Sequence, residues 1–214
     1  FAADYEAPGR IRLGGRGGLQ VGELDGRPSA RLDEAVALLR HFEPDARATD
    51  NLAGDKWSKV AFGALLFATA LTEDTMAGQL GDPAYRPVWC AIAGEVLDTA
   101  RALGHRPRAF DGFDPAGFGR GSAPERSAQC FEAMVEHCRG WTGKTRSGVW
   151  RDIAVRRRRT EVDPQLTDVV RHARTAGIAV PVLARMVEMI QELETGRRAF
   201  GRANLDELLR MASP

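Results

Sequence analysis

The sequence predicts a mostly α protein, with a small α/β segment over residues 1–50 and an all-helical remainder over 51–214. Three observations carry this. Alternation of apolar and polar side chains, the two-residue period of a strand, occurs only before Asn51. From Asn51 onward, apolar residues recur three and four apart, as on one side of a helix. The stretches between these runs begin or end on helix punctuation: Gly104 and Gly177 as stops, and Pro124, Pro164 and Pro181 as first-turn residues.

In chain order, Arg10–Leu13 and Leu19–Leu24 alternate and are separated by Gly14-Gly15-Arg16-Gly17-Gly18, which predicts a hairpin with a loose glycine turn. A dinucleotide-type GxGxxG loop is rejected, because its third glycine falls on Gln20 and a strand, not a helix, follows. Asp25 to Ser29 turns the chain. Ser29 caps a helix running through Phe42 with Leu32, Val36 and Leu39 inward, and Ala46–Thr49 forms a short strand.

A long helix is expected from Asn51 to about Met76. It carries no charge between Val60 and Leu71. Trp57, Val60, Ala61, Ala64, Ala68 and Leu71 share one face, and Lys59, Gly63, Leu66, Phe67 and Ala70 the other. A helix apolar on both sides is a central one, so the Lys59 ammonium either snorkels out at the helix entrance or looks into a polar cleft. Gly63, one turn on, leaves space beside that amine or permits close helix packing. The residues alone leave both readings open.

Further helices are expected over Ala84–Leu103, over Ser122 (as cap) to Arg139, from Asp163-Pro164 to Gly177, over Pro181–Glu194 and over Asn204–Met211. The segment from Phe110 to Gly121 is a polar, glycine-rich loop long enough to line a site or merely to connect. Arg156 to Arg159 read better as a phosphate-facing or solvated helix end than as a nucleic-acid patch, since aromatics do not interleave them. A carboxylate beside them, Glu161, is expected to stay ionised and to accept hydrogen bonds from a sugar or amide.

Composition narrows the function classes. Thirty basic and 29 acidic side chains give a net charge of +1, so nothing draws the whole chain to nucleic acid or anionic membrane. Cys90, Cys130 and Cys138 form no CxxC pair, and together with His137 they give no zinc pattern, so free thiols in a reducing cytoplasm are expected, and no metal. The uncharged run is too short to span a bilayer. The opening at Phe1, inside a strand-bearing region, predicts that the chain continues something longer.

Six short motifs then fall in register: Pro8-Gly9-Arg10-Ile11, Val21 to Gly26, Trp57-Ser58-Lys59, Ser147 to Asp152, Thr160-Glu161-Val162-Asp163, and Gly177 to Pro181. Together they resemble the ketopantoate reductase (2-dehydropantoate 2-reductase) family over nearly the whole chain. The resemblance implies a C-terminal helical domain like that of 6-phosphogluconate dehydrogenase, here residues 51–214, preceded by the last part of a dinucleotide-binding Rossmann domain, residues 1–50. The glycine fingerprint of that domain would lie upstream of Phe1. By resemblance the activity is NADPH-dependent reduction of a 2-oxo acid or related ketone by a cytoplasmic enzyme, in the setting of pantothenate biosynthesis, with a homodimer as a candidate assembly.

Carried over residue by residue, Lys59 matches the family's catalytic lysine and Glu161 the glutamate that closes on the cofactor. Ser147 matches the serine that binds the substrate carboxylate, though two extra residues separate it from Glu161. The substrate-binding asparagines expected one and two turns beyond the lysine are Gly63 and Phe67, and a third position falls near Ala77. These departures count against ketopantoate as substrate and for a bulkier or more apolar one over Gly63. The competing expectation is a non-catalytic helical dimerisation or binding module.

Overall fold

A computed structural model describes residues 2–15, 17–119, 121–140 and 145–212. Arg16 in the glycine run, Arg120 in the 110–121 loop and Lys144 lie outside the described residues. The first fifty residues do not form the expected hairpin. Strands β1 (Ala2–Ala7) and β2 (Arg10–Gly15) pair antiparallel around Pro8-Gly9, while β3 (Leu19–Val21) pairs parallel with β4 (Ala46–Ala48). The reason is local at the turn: Pro8 has its φ set by its ring and Gly9 takes φ +75°, the pair that a type II turn requires. The glycine run instead ends β2 and leads into β3.

Parallel strands need a crossover, and helix α1 (Ala30–Arg40) supplies it. Ser29 caps α1 as expected, its Oγ accepting from the Leu32 N–H at 3.2 Å. Leu32 and Val36 are buried and Leu39 half-buried.

The remainder is helical. Helix α2 spans Leu52–Ala68, shorter than expected: a 3-10 turn follows over Thr69–Leu71, and a separate helix, α3, begins at Met76 and ends at Gly81. Side chains enforce the break. Thr75 caps α3 by accepting from the Gly78 N–H at 3.1 Å. The buried Gln79 amide donates to the carbonyls of Thr69 (2.8 Å) and Asp74 (3.0 Å), acceptors that a continuous helix would have used itself.

Helix α4 (Arg86–Ala102) packs along α2, joining Ala61, Ala64, Leu65 and Ala68 to Trp89, Ile92, Ala93 and Val96 in one buried core. Gly104, at φ +82°, ends α4 with Gly104 N–H on Arg101 O and His105 N–H on Ala100 O, the paired bonds of a Schellman stop. Helix α5 (Pro124–Arg139) lies against α3. Its cap position is Ala123 rather than Ser122, whose Oγ instead accepts from Gly119 N–H and donates to Ala116 O, both at 2.9 Å.

Four shorter helices complete the fold among the described residues: α6 (Gly148–Ala154), α7 (Asp168–Thr175), α8 (Pro181–Glu194) and α9 (Arg202–Ala212). A single π turn over Asp163–Thr167 leads into α7, and Gly177 ends it at φ +71°. Helix α4 anchors α8 directly, because the buried Glu95 carboxylate accepts the N–H groups of Val182 (3.1 Å) and Leu183 (2.7 Å). No helix among the described residues is long and apolar enough to cross a membrane.

Candidate functional site

Lys59 stands two turns into α2 and is exposed. Among the described residues its ammonium has no hydrogen bond or ion pair. The carboxylate one turn before it, Asp55, is already engaged: Thr49 Oγ1 donates to it at 2.5 Å, and Arg108 lies 3.5 Å away. Arg108 also pairs with Asp50, and the Asn51 amide donates to Arg106 O at 2.7 Å. These contacts bind the segment before α2 to the loop after α4 and fix the end of the helix that carries Lys59.

The residues three, four and seven beyond Lys59 share its side of the helix, and they are Phe62, Gly63 and Leu66. A Cβ placed on Gly63 would meet nothing within 4 Å. Among the described residues the space is open, and no other described element packs closely against this glycine. Phe67, the second position where the family's asparagine was expected, is only 4% exposed and belongs to the core. Ala77 is half-buried on α3, past the break in the helix, and packs against the core.

Aromatic packing fixes Phe62, the residue before Gly63. Phe62 meets Phe110 edge-on (5.9 Å between centroids), Phe113 at a tilt (5.8 Å) and His137 edge-on (6.4 Å). Phe113 stacks on Phe118 at 4.9 Å, and Phe118 packs on Phe131 of α5 at 4.9 Å. The described part of the 110–121 loop is thus pinned into the core by its phenylalanines rather than lying loosely over the surface. Sequence reasoning gave this loop no aromatic role, although Phe110, Phe113 and Phe118 were the visible signal.

Ser147 is 2% exposed and caps α6, its Oγ accepting from Trp150 N–H at 3.2 Å. Among the described residues the hydroxyl proton has no acceptor. Before it, Arg146 lays its guanidinium 4.3 Å from the Trp150 ring and donates to Glu73 O at 2.8 Å. Helix α6 packs on α2.

Glu161 is exposed between two fixed neighbours. Thr160 donates both its N–H (2.7 Å) and its Oγ1–H (2.6 Å) to Glu194, and Val162 is fully buried. Among the described residues the Glu161 carboxylate accepts only from Gln165, at 2.6 Å, which leaves further acceptor positions on an exposed carboxylate. The expectation of a carboxylate set among arginines is not met. Arg156 (2.7 Å) and Arg158 (3.0 Å) both clasp Asp152, because the chain turns back on α6 there, with Arg157 at φ +50°. Arg157 and Arg159 have no ion pair among the described residues.

The π turn after Glu161 also packs on α2, so the segments bearing Ser147 and Glu161 both converge on the helix bearing Lys59. No hydrogen bond or ion pair joins these three residues to one another among the described residues. Two surface hollows lie elsewhere: one of about 540 Å³ at Glu23–Arg31, and one of about 230 Å³ between Arg159, Asp163 and the end of α8. In the first, hydrogen bonds from Arg31 and Ser29 hold the Glu23 carboxyl down to about 2.

For a nicotinamide dinucleotide the fit is one-sided. The exposed Glu161 carboxylate suits a sugar hydroxyl, but among the described residues no glycine-rich strand-to-helix turn cradles phosphates. No group of three or more His, Cys, Asp or Glu side chains among them is arranged around a metal.

Comparison with known proteins adds the family. The profile described as ketopantoate reductase PanE/ApbA C terminal matches residues 51–194, well over half of the chain. The chain belongs to the PanE/ApbA ketopantoate reductase family. Three solved structures share its fold. The PanE/ApbA family ketopantoate reductase from Ralstonia eutropha JMP134 is 20% identical with a TM-score of 0.67, over 92% of this chain and 58% of that one. The 2-dehydropantoate 2-reductase from Methylococcus capsulatus is 20% identical with a TM-score of 0.68, over 92% and 57%. A D-mandelate dehydrogenase in a ternary structure with NADH and anilino(oxo)acetate is 18% identical with a TM-score of 0.69, over 91% and 58%. This PanE/ApbA chain therefore spans less than two thirds of the length of those proteins. No curated protein sequence matched it.

Proposed function

We propose that this chain is the substrate-facing part of a nicotinamide-dependent reductase that converts a 2-oxo acid or related ketone to the hydroxy compound. The observation that carries the reading is Lys59: an exposed ammonium with no partner among the described residues, beside an open glycine, on a helix face otherwise without charge from Val60 to Ala68. In this reading residues 1–50 are the end of a dinucleotide-binding domain, consistent with the parallel β3–α1–β4 unit, and residues 51–214 are the catalytic helical domain.

The cofactor, proposed as NADPH, supplies hydride to the carbonyl carbon when bound. The protein's own residues do the rest. Negative charge grows on the carbonyl oxygen as its π bond breaks, and Lys59 hydrogen-bonds that oxygen and gives it a proton. Ser147, whose hydroxyl proton has no acceptor among the described residues, would donate to the substrate carboxylate, and Glu161 would accept from a cofactor ribose hydroxyl. Relatives named as reductases of 2-dehydropantoate and as a dehydrogenase seen with NADH and an oxoacetate support the reaction class. The proposed setting is a reducing compartment, where Cys90, Cys130 and Cys138, which form no disulfide among the described residues, stay as thiols.

Lys59→Ala, in the protein together with its nucleotide-binding portion, tests this. A general acid contributes about a hundredfold or more to turnover, and an exposed side chain on an intact helix contributes little to folding. An unchanged rate of 2-oxo acid reduction with an unchanged circular dichroism spectrum would refute the role of Lys59.

A further inference from the structure

Resting on the reductase reading, we propose that Arg108 is a positioning residue for the reaction: by occupying the Asp55 carboxylate it keeps the Lys59 ammonium unpaired and free to meet the substrate oxygen. Helix geometry sets up the competition. A side chain on an α-helix leans toward the N-terminus, so Lys59 lies over the turn that bears Asp55, four residues back. An acid four residues before a lysine is the favoured order for an ion pair along a helix. The pair does not form: among the described residues Lys59 has no ion-pair partner.

The contacts of Asp55 show why. Its Oδ2 accepts from Thr49 Oγ1 at 2.5 Å and its Oδ1 faces Arg108 Nε at 3.5 Å, with the carboxylate side chain only 15% exposed. Arg108 Nη2 donates to Thr49 Oγ1 at 3.4 Å and pairs with Asp50, so one guanidinium bridges Thr49, Asp50 and Asp55. Asp55 also stands in the first turn of α2, where the helix dipole favours a carboxylate. An acid that suits the helix start and a lysine that serves the reaction one turn on would neutralise each other without a second cation. Arg108 is that cation.

Ion pairs between exposed side chains are worth little on their own, but here the backbone that carries the arginine is seated. Gly54 lets the loop after α4 come down on the first turn of α2, where a Cβ would lie 2.3 Å from Arg106 O. The same carbonyl accepts from the Asn51 amide at 2.7 Å, and His105 stacks on Trp57 with 6.0 Å between centroids. These contacts fix the loop to the helix that carries Lys59 and deliver Arg108 to Asp55. Without Arg108, the freed Asp55 oxygen shares its side of the helix with Lys59, whereas Lys56, one residue on, points elsewhere. An ammonium held by a carboxylate is a poorer acid toward a substrate oxygen.

The test follows Lys59 in two ways, in the protein together with its nucleotide-binding portion. One is acetylation by a limiting dose of N-hydroxysuccinimidyl acetate, read by peptide mass spectrometry against Lys56; the other is kcat for reduction of pyruvate, 2-oxoisovalerate and ketopantoate. Arg108→Ala is expected to slow Lys59 acetylation relative to Lys56 and to lower kcat, each by about threefold or more, because Asp55 is mostly covered and its pairing exceeds that of a fully exposed pair. Adding Asp55→Asn to Arg108→Ala removes the competing charge and is expected to restore both to within about twofold of wild type, with thermal melts confirming that each variant folds. A loss of kcat that Asp55→Asn does not restore, or Lys59 acetylation that Arg108→Ala leaves unchanged, overturns the positioning role and leaves the reductase reading standing. A wild type that reduces none of the three acids overturns the reductase reading and the positioning role with it.

Discussion

Replacing Glu95 by alanine should cost this fold about 3–4 kcal/mol. Helix α8 begins with Pro181, which has no N–H, so the first donors needing partners inside it are Val182 and Leu183. Both give their hydrogen bonds to Glu95 of α4, at 3.1 and 2.7 Å, in a site where the glutamate is 8% exposed. Val180, at the cap position, makes no side-chain capping bond of its own. Each hydrogen bond to a charged acceptor is worth about 1.5–3 kcal/mol, and loss of a helix cap about 1 kcal/mol; the terms overlap and do not simply add. At about 2–4 °C per kcal/mol for a chain of this size, the melting temperature should fall by about 6–16 °C. Glu95→Gln keeps one acceptor oxygen but loses the charge, and should fall between the wild type and the alanine variant. Calorimetric or circular-dichroism melts check this. A shift in Glu95→Ala below about 2 °C, less than one kcal/mol on that scale, would refute the claim that α4 holds the start of α8.

Two glycines on α2 should respond oppositely to alanine. Gly63→Ala meets open space and should stabilise by about 0.5–1 kcal/mol, whereas the Cβ of Gly54→Ala lies 2.3 Å from Arg106 O and should cost about 1–3 kcal/mol; chemical denaturation of both variants measures the contrast. Arg157→Gly releases a left-handed backbone at φ +50° and, after the extra freedom glycine has when unfolded, should raise stability by about 0.5 kcal/mol in the same assay. Glu23 is lowered to about 2 in the fold by Arg31 and Ser29, so its contribution is fully present above the ordinary carboxyl range and is lost as pH falls toward 2. The Glu23 carboxyl resonance should titrate near pH 2, and titration near 4.5 would show that the Arg31 and Ser29 contacts do not persist in solution.

Single residues with strong backbone rules made much of the helical part legible. Gly104 and Gly177 stop helices because a left-handed residue closes the last turn, and Pro181 opens α8 because a proline loses no hydrogen bond at the first position. Ser29 was legible as a cap for a similar reason, since its oxygen reaches a backbone N–H only three residues away. The lysine and glycine of the candidate site also stood out in sequence, as departures from an otherwise apolar helix.

Tertiary structure decided what depends on distant partners. The apolar pattern of α2 runs on past Ala68, but the Gln79 amide, ten residues from Thr69, takes the carbonyls that would have continued the helix. Strand β3 follows β2 closely in sequence yet pairs with β4 across α1, because register depends on which edge is brought alongside rather than on which strand is nearest in the chain. The arginine run looked uniform, and only the turn at Arg157 assigns Arg156 and Arg158 to Asp152 while leaving Glu161 to Gln165. Local backbone chemistry is written residue by residue and so reads directly from sequence. The exposure of Lys59, the clearance over Gly63 and the Phe62–Phe110 contact depend on how segments far apart in the chain come together, which is settled only once the helices have packed.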